Sequence, residues 1–485
     1  MPEILLTVWP YVSAVVHFCV AIVAAAHVVM TKRDVRAAIG WVGIIWLTPI
    51  IGSLLYMLLG VNRIQRRAQH MRSEIPSVET APGDAVGPSE RVSLLLGDSA
   101  QHLEQLVRFL DSVTGRPLLS GNHLQPLENG DRCYPAMLEA IKSAERSISL
   151  CSYIFDNDRS GKMFLDALVD ATRRGVEVRV LIDGVGSRYS FPSMVRLLRN
   201  ADVNVARFMP TLLPGRFQYA NLRSHRKIMV VDGRIGFTGG MNIREGCLLQ
   251  LDPPPHHPLH DLHFRLEGPV VADLQQAFVE DWHFSTGELL TGDDWFPQIA
   301  PAGDALARGI ADGPDEDFDK SPLTILGALG CARRSIQIVT PYFLPDLPII
   351  SAINVAALRG VQVDIVVPER NNLMLVGWAM NATLPQVLER GCRVWLSPPP
   401  FDHTKLMLVD GIWSLVGSAN WDARSLRLNF EFNVECYQDE LAVRLGELVQ
   451  RKIDASRRVT YQDYQSRALP WRLRDNVVRL MSPYL

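Results

Sequence analysis

The chain has 485 residues, of which 47% are hydrophobic, with 49 basic and 52 acidic residues and a net charge of −3. This length predicts about three structural units, the hydrophobic content excludes an intrinsically disordered protein, and the near-neutral charge argues against a protein that coats nucleic acid. The seven cysteines are odd in number and scattered, which favours a reducing compartment over a disulfide framework or a zinc site.

Two long apolar segments open the chain. Residues 5–30 and 37–60 contain no Asp, Glu, Lys or Arg, and each is long enough to cross a hydrocarbon core of about 30 Å as a helix. Residues 1–62 are therefore predicted to form a two-helix transmembrane hairpin. A cleaved signal peptide and a buried core helix are the alternatives for the two segments. The arginines that follow the second segment weakly favour a cytoplasmic body.

Three further segments separate or end the predicted domains. Residues 63–118 are predicted to be a linker, rich in Pro, Gly and Ser over 73–95, followed by an amphipathic helix. The acidic run within 303–321 predicts a solvated linker in preference to a metal site. The basic C-terminal segment 466–485 carries Trp471 among arginines. Such a segment either lies on an anionic membrane surface or docks on the body as a helix.

The rest of the chain is an internal duplication, with halves at 119–302 and 322–465. Ala144–Ile148 returns as Ala332–Ile336, and Arg174–Val178 returns as Arg359–Val363. Each half reads as apolar strand, amphipathic helix and apolar strand, which predicts a mixed or parallel sheet covered by helices on both faces. The fold class is therefore α/β, with two similar α/β/α sandwich halves about a pseudo-twofold axis.

Each half carries one His-x-Lys-x4-Asp motif, and the two motifs are 178 residues apart: His225, Lys227 and Asp232 in the first half, and His403, Lys405 and Asp410 in the second. Only seven lysines occur in the whole chain, so two matches in register are not expected by chance. On a strand, the His and Lys side chains point to the same face. The aspartates fall at the opposite parity, so we expect them to hold the motif in place.

Small and polar residues follow each motif: Gly240 and Asn242 in the first half, and Ser418 and Asn420 in the second. Glycine permits a close backbone approach, and amide or hydroxyl donors suit a phosphate oxygen. We therefore predict that these four residues help to bind a phosphate group at one site between the halves.

The paired motifs predict phosphodiester chemistry. Two lysines neutralise the non-bridging oxygens, one histidine attacks phosphorus, and the other protonates the leaving alcohol. This chemistry needs no metal or other cofactor. Asp261 and Glu431 lie in apolar strand-like contexts and are predicted to orient the histidines. The alternative is a structural salt bridge from these carboxylates to Arg265 or Arg427.

These residues resemble the phospholipase D superfamily, and the chain is similar to the bacterial cardiolipin synthases over nearly its whole length. The supporting stretches are 221–227, 340–345, 417–425 and 428–431, together with the apolar hairpin. The resemblance implies two phospholipase D-type halves. It also implies that a phosphatidyl group passes between two phosphatidylglycerol molecules to give cardiolipin and glycerol.

The same resemblance implies that His225 is the nucleophile and His403 the acid. The apolar hairpin and the resemblance together predict a protein in the lipid bilayer of a bacterial inner membrane, with several spans and a cytoplasmic body. The near-neutral charge and the membrane anchor argue against a nucleic-acid partner. An oligomer is compatible with the sequence. Another phosphatidyltransferase or a hydrolytic phospholipase D, each with a different acceptor, remains the alternative, and a nuclease on the same fold is a more distant one. The histidines within 256–263 lack the spacing of a standard zinc site.

Overall fold

A computed structural model describes residues 2–32, 35–60, 97–210, 222–313 and 319–482. These residues belong to two units, an N-terminal unit that contains residues 2–60 and a body that contains the described residues from 97 onward. The predicted linker at 73–95 and the acidic residues 315–317 lie outside the described ranges.

The first apolar segment forms helix α1 (Pro2–Thr31). Its part Tyr11–Thr31 is, among the described residues, the one helix long and apolar enough to cross a membrane. The second apolar segment forms two shorter helices, α2 (Val35–Leu47) and α3 (Pro49–Leu55), followed by a π-helical turn at Tyr56–Gly60. The expected second spanning helix is therefore split.

The chain reverses direction between α2 and α3. A Cβ atom on Gly52 would lie 2.5 Å from the carbonyl oxygen of Ile44, and the ring of Tyr56 lies 5.4 Å from that of Trp41. Proline at the first position of α3 favours a new helix over continuation of α2. With 13 residues, α2 is about 20 Å long, shorter than the hydrocarbon core. The predicted two-helix hairpin is thus shown only for its first helix.

The body begins with a 3₁₀ turn (Asp98–Leu103) and α4 (Glu104–Thr114). The elements of the first half are β1 (Leu119–Glu128), α5 (Asn129–Ser143), β2 (Ser147–Ser152), α6 (Arg159–Arg173), β3 (Glu177–Asp183), α7 (Met194–Asn200), β4 (Val205–Phe208), β5 (Arg223–Ser224), β6 (Ile228–Val231), β7 (Ile235–Gly239), β8 (Leu259–His260), β9 (Leu262–Glu267) and α8 (Val271–Thr286).

The elements of the second half are β10 (Ala305–Asp312), α9 (Lys320–Cys331), β11 (Ser335–Val339), β12 (Phe343–Leu344), α10 (Leu347–Leu358), β13 (Gln362–Pro368), α11 (Met374–Thr383), α12 (Pro385–Leu388), β14 (Arg393–Ser397), β15 (Phe401–Asp402), β16 (Leu406–Val409), β17 (Trp413–Gly417), β18 (Trp421–Asp422), α13 (Ala423–Arg427), β19 (Asn429–Tyr437), α14 (Asp439–Asp454), β20 (Arg457–Val459), α15 (Tyr461–Gln465) and α16 (Leu469–Arg479).

One 16-stranded sheet runs through both halves. The first half has the strand order β1-β9-β7-β6-β2-β3-β4, and the second has β10-β19-β17-β16-β11-β13-β14, extended by β20. The antiparallel pair β1 and β10 joins them at the centre. Because corresponding strands take the same places on either side of this pair, the sheet has the pseudo-twofold symmetry that the sequence repeat predicted.

The inner strands are covered on both faces. Every residue of β2, β6 and β16 is buried, and successive side chains in a strand point to opposite faces. The sheet is mixed, since β2, β3 and β4 are parallel whereas β6, β7 and β9 are antiparallel. The predicted α/β sandwich with two similar halves is confirmed.

The interpretation of residues 303–321 as a solvated acidic linker is wrong for residues 305–312. Residues 305–312 form β10, which lies between β1 and β19 in the middle of the sheet. Its Arg308 is buried and pairs with Glu435 at 2.7 Å, and Asp312 is a buried acceptor for the backbone N–H of Ser321 at 3.1 Å. The second half therefore begins before the predicted boundary at 322. The acidic residues dominate the charge of the segment, although an apolar run precedes them.

The two predicted amphipathic segments of the body are helices that pack on the second half. Helix α4 buries Leu106, Val107 and Leu110 and packs against α9. At the C-terminus, α16 packs against α11, with the guanidinium of Arg474 4.0 Å from the ring centre of Trp378. The structure shows the docked helix, and this docking leaves Leu469, Trp471 and Leu473 exposed on its outer side.

Candidate active site

The strand that leads into each motif pairs with the opposite half of the body. Strand β5, just before His225, pairs in parallel with the start of β19, and β15, just before His403, pairs in parallel with β8. The backbone N–H of His225 donates to the carbonyl of Phe430 at 2.8 Å, and that of His403 donates to the carbonyl of His260 at 2.7 Å. Both motifs are therefore held by both halves, which build one site together.

The two histidines bind carboxylates from the opposite half. Nδ1 of His225 donates to both carboxylate oxygens of Glu431, at 2.9 and 3.0 Å. Nδ1 of His403 donates to Oδ2 of Asp261 at 2.8 Å. The structure thus brings both predicted carboxylates to the histidines, but each pairs with the histidine that is farther away in sequence.

The alternative role of the two carboxylates, a salt bridge to a neighbouring arginine, is not what the structure shows. Arg265 pairs with Glu267 at 2.6 Å, and Arg427 pairs with Asp346 at 2.7 Å. A carboxylate at Nδ1 fixes the imidazole tautomer and leaves Nε2 as the atom available to substrate.

Both carboxylates stay ionised despite their burial. Burial alone would raise the pKa of Glu431, but His225, Lys227 and the hydroxyl of Ser418 outweigh it and hold that pKa below its ordinary value. Burial also opposes ionisation of Asp261, yet the positive charge of Lys405 and the contact with His403 lower its pKa. Each histidine therefore faces a fixed negative charge that stabilises an imidazolium when it forms.

The two lysines share one buried region. Nζ of Lys227 donates to the backbone carbonyl of His225 at 2.7 Å, and Nζ of Lys405 donates to the carbonyl of His403. Burial and the charge of Lys405, opposed by the attraction of Glu431, together lower the pKa of Lys227 to about 7. Burial likewise lowers the pKa of Lys405 to about 8. Two buried cations close to each other are stabilised by a bound anion.

The histidines are neutral at rest. Burial lowers the pKa of His225, and burial together with the charge of Lys405 lowers the pKa of His403 to about 4. A neutral imidazole has a lone pair on Nε2, as a nucleophile requires. An incoming phosphodiester brings a negative charge that favours the protonated form of a nearby histidine. Binding of substrate therefore raises the pKa of His403, the predicted acid.

The aspartates of the motifs lie at the opposite ends of their strands from the lysines and bind backbone. Asp232 accepts from the N–H groups of residues 145–147 at 2.8–3.2 Å, and Asp410 accepts from those of residues 333–335 at 2.7–2.9 Å. Asp410 also accepts from Nε2 of His102 at 2.7 Å. These contacts hold each motif strand against its neighbour. This agrees with the odd offset of the two aspartates from their histidines, which predicted that they hold the motif in place.

A glycine and a serine take corresponding places beside the two carboxylates. The N–H of Gly240 donates to the carbonyl of Leu262, and that of Ser418 donates to the carbonyl of Phe432, both at 3.0 Å. The hydroxyl of Ser418 donates to Oε2 of Glu431 at 2.5 Å. At Gly240 there is no room for a side chain, because a Cβ atom would lie 2.1 Å from Oδ1 of Asp261.

Gly240→Ala is therefore expected to push Asp261 away from His403 and to lower kcat about 100-fold, the usual cost of a displacement of about 1 Å in an active site. Steady-state assays with a thermal melt would test this. Gly330→Ala is the control, because no atom lies within 4 Å of a Cβ there. Wild-type activity in the Gly240→Ala protein would contradict the steric argument.

The two asparagines are buried near the motifs, but their side chains differ in their contacts. Oδ1 of Asn242 accepts from the N–H of Ile154 at 3.1 Å, whereas Nδ2 of Asn420 donates to the hydroxyl of Ser425 at 3.1 Å. A role of Asn242, Asn420, Gly240 and Ser418 in phosphate binding remains a prediction.

Two tyrosines beside the histidines were not among the predicted site residues. The ring of Tyr153 lies 5.3 Å from that of His225 and 5.8 Å from Nζ of Lys227, and the ring of Tyr342 lies 6.3 Å from that of His403. Both tyrosines follow the carboxyl ends of corresponding strands, β2 and β11. Ligands of α/β sheets bind at such strand ends. An aromatic residue that recurs there in both halves could therefore have identified the two tyrosines from the sequence.

A duplicated α/β body with one such motif in each half is the architecture of the phospholipase D superfamily. The body is similar in fold to the phosphatidylserine synthase of Haemophilus influenzae, with a TM-score of 0.62 and 15% identity over 78% of this chain and 100% of that chain.

The family follows from sequence comparison. The family described as "Cardiolipin synthase, PLD-like domain" matches residues 137–252 and 325–453, and "Phospholipase_D-nuclease N-terminal" matches residues 19–60. The chain is 31% identical to a cardiolipin synthase of Geobacillus kaustophilus over 96% of this chain and 92% of that protein. It is 30% identical to cardiolipin synthase A of Pseudomonas fluorescens over 99% of this chain and 98% of that protein. The chain belongs to the cardiolipin synthase family; it is a phosphatidyltransferase and a membrane protein.

Proposed function

We propose that the protein joins two phosphatidylglycerol molecules into cardiolipin with release of glycerol, through a phosphohistidine at His225. The observation that carries the proposal is the crossed pairing of His225 with Glu431 and of His403 with Asp261. It gives one site two equivalent imidazole–carboxylate pairs, one for attack on phosphorus and one for proton transfer.

In the first half-reaction, Nε2 of His225 attacks the phosphorus of one phosphatidylglycerol. The N–P bond forms, the P–O bond to the glycerol headgroup breaks, and protonated His403 gives its proton to the leaving oxygen. Lys227 and Lys405 stabilise the charge that builds on the non-bridging oxygens. Glu431 stabilises the cationic phosphohistidine and Asp261 stabilises the imidazolium.

In the second half-reaction, a headgroup hydroxyl of another phosphatidylglycerol replaces the departed glycerol. Neutral His403 removes its proton, the oxygen attacks phosphorus, and the bond to Nε2 of His225 breaks. The enzyme returns to its starting protonation state, so no net proton is consumed. Because the leaving and attacking groups are both primary alcohols of glycerol, one acid–base residue serves both steps.

The choice of His225 as nucleophile has support in the asymmetry of the two pairs. Glu431 contacts the His225 imidazole with both oxygens and is itself held by Ser418 at 2.5 Å and by Asn429 at 3.2 Å. Asp261 contacts His403 with one oxygen. The more firmly held imidazole is the better platform for a covalent intermediate. We place the enzyme in a bacterial inner membrane, anchored by α1, with the body on the cytoplasmic side.

The experiment is incubation of the purified protein in detergent with phosphatidylglycerol as the sole lipid, followed by lipid mass spectrometry and a glycerol assay. We expect cardiolipin and glycerol in equal amounts, with neither formed by the His225→Ala protein. Phosphatidic acid as the main product would identify a hydrolase instead. Turnover only after addition of a different alcohol would identify another transferase.

The lysine pKa values predict how activity depends on pH. Only the ammonium form binds phosphate, and the pKa of Lys227 is lowered to about 7 and that of Lys405 to about 8. The charge is present below these values and is lost as the pH rises through them. kcat/KM already declines above the His403 pKa of about 4, because the free enzyme loses the protonated acid. We therefore expect this decline to become steeper between about pH 7 and 9, well below the ordinary lysine pKa of about 10.4. A kcat/KM profile whose slope stays unchanged to about pH 10 would contradict this prediction.

A further inference from the structure

Two loops that correspond under the pseudo-twofold symmetry expose large apolar side chains. One follows β3 and the other follows β13, and these strands have the same place in their halves. In the first loop, Tyr189 is 59% exposed and Phe191 is 92% exposed; in the second, Leu373 and Met374 are 51% and 64% exposed. Exposed apolar residues that recur at both symmetric positions are not scattered surface residues, and such patches mark interaction sites.

Both loops border the candidate active site. The ring of Tyr189 lies 6.4 Å from that of Tyr153, which in turn lies 5.3 Å from the ring of His225. On the other side, Oδ1 of Asn372 accepts from the hydroxyl of Tyr342 at 2.9 Å, beside His403. Each loop is thus one aromatic side chain away from one histidine of the site.

Each loop also carries an exposed arginine three residues before its apolar residues. Arg188 precedes Phe191, and Arg370 precedes Leu373. Cations next to large apolar side chains suit an anionic bilayer surface, where the arginine meets phosphate and the apolar side chain enters the acyl boundary. A protein partner gives no reason for the same combination to occur on both sides of a lipid-processing site.

The C-terminal helix lengthens this surface in the second half. Arg479 donates to the carbonyl of Ala382 at 3.4 Å and Arg474 lies over Trp378, so α16 runs in the same direction as α11. Its start therefore lies toward Met374, the first residue of α11. There α16 exposes Leu469, Trp471 and Leu473.

We propose that the two loops, residues 188–191 and 370–375, form an apolar rim that docks on the bilayer surface and admits phospholipid headgroups to the site from the membrane. The partner is a bilayer that contains anionic phospholipid. This inference rests on the proposed function, since it requires a phospholipid substrate. A diacyl lipid in a bilayer has its phosphate at the headgroup level, so a buried catalytic site reaches that phosphate only if its mouth lies against the membrane.

The first test measures contact directly. Phe191→Cys, in a Cys19→Ser background that removes the exposed native cysteine, is labelled with a nitrobenzoxadiazole probe in the full chain. The protein is placed in nanodiscs with and without lipids that carry a nitroxide on the acyl chain. We expect the nitroxide to quench the probe strongly. Val443, 57% exposed on α14, is the matched control site, where quenching should be absent.

Equal quenching at the two sites, or none at either, would overturn the proposal. A probe at residue 191 that is shielded from water but not quenched by nitroxide lipid would also overturn it, and would indicate a second copy of the chain on the rim.

The second test compares one lipid presented in two ways. Nanodiscs of phosphatidylcholine hold the enzyme, and phosphatidylglycerol is supplied either as long chains in the disc or as dihexanoyl chains in solution. Phe191→Ser with Met374→Ser should lower turnover of the long-chain substrate about tenfold, the loss expected when apolar side chains no longer enter lipid. Turnover of the dihexanoyl substrate and both activities of Val443→Ser should stay within about twofold of wild type.

An unchanged rate on long-chain lipid, or equal losses on both substrates, would overturn the rim as a membrane contact. Failure of the wild-type protein on both substrates would instead contradict the proposed function, and the quenching experiment would still decide the rim. The two ideas therefore fail in different ways.

Discussion

His225→Ala should abolish the first chemical step, whereas His403→Ala should complete that step once and then stop. With phosphatidyl-p-nitrophenol as donor, the leaving group needs no proton, so His403 is not required for attack by His225. We expect the His403→Ala protein to release one equivalent of p-nitrophenol in a burst and the His225→Ala protein to release none. On phosphatidylglycerol, turnover should fall by roughly 10⁵ to 10⁶ for His225→Ala and by about 10² to 10⁴ for His403→Ala.

The covalent intermediate gives a second readout. After the burst, intact-protein mass spectrometry of the His403→Ala protein should show one added phosphatidyl group, lost in acid as expected for a phosphohistidine. A burst from the His225→Ala protein, with a stable adduct on His403, would reverse the two roles. Absence of an adduct from both variants would exclude the covalent route. Gly330→Ala, which leaves the site untouched, is the control for burst amplitude.

The chemistry of the site could be predicted from the sequence because it depends on residues that are close together in the chain. The two His-x-Lys-x4-Asp motifs place His and Lys on one face by strand periodicity alone, and the duplication predicted that both copies build one site. Asp232 and Asp410 lie at odd offsets from the histidines, which predicted that their side chains point away from the substrate. The acidic residues Asp261 and Glu431 stood out because their neighbours are apolar.

What the sequence left undetermined depends on contacts between distant residues. No local pattern shows that Glu431 serves His225, since that pairing follows from the way β5 crosses to β19 in the opposite half. His102 lies 308 residues from its partner Asp410, and nothing around it marks a contact.

Composition gave a wrong structural prediction for two segments, and the reason is the same in both. The run of acids after Asp312 suggested a solvated linker, although the residues before it form a central strand. The uncharged segment 37–60 suggested one spanning helix, although Pro49 begins a new helix that folds back. Charge and hydropathy averages describe a window, whereas a strand or a helix break is set by individual residues within it.

Glu431→Gln and Asp261→Asn should each lower kcat by about 10⁴, the cost of removing the charge that holds a catalytic imidazole in its working tautomer. The crossed pairing predicts which step each variant affects. In a His403→Ala background with phosphatidyl-p-nitrophenol, Glu431→Gln should slow the burst about 10⁴-fold, because it disables the nucleophile His225. Asp261→Asn should leave the burst nearly unchanged in that background, because its histidine is already absent.

Stopped-flow measurement of p-nitrophenol release in the two double variants decides the pairing. If each carboxylate served the histidine nearer to it in sequence, the result would be inverted, with Asp261→Asn slowing the burst and Glu431→Gln leaving it unchanged. Equal slowing by both variants would mean that the carboxylates act through the shared field of the buried lysines and not through one imidazole each. Because Glu431 and His225 belong to different halves of the duplication, the crossed result would also mean that neither half holds a complete nucleophile alone, which gives a physical reason for the two halves to share one continuous sheet.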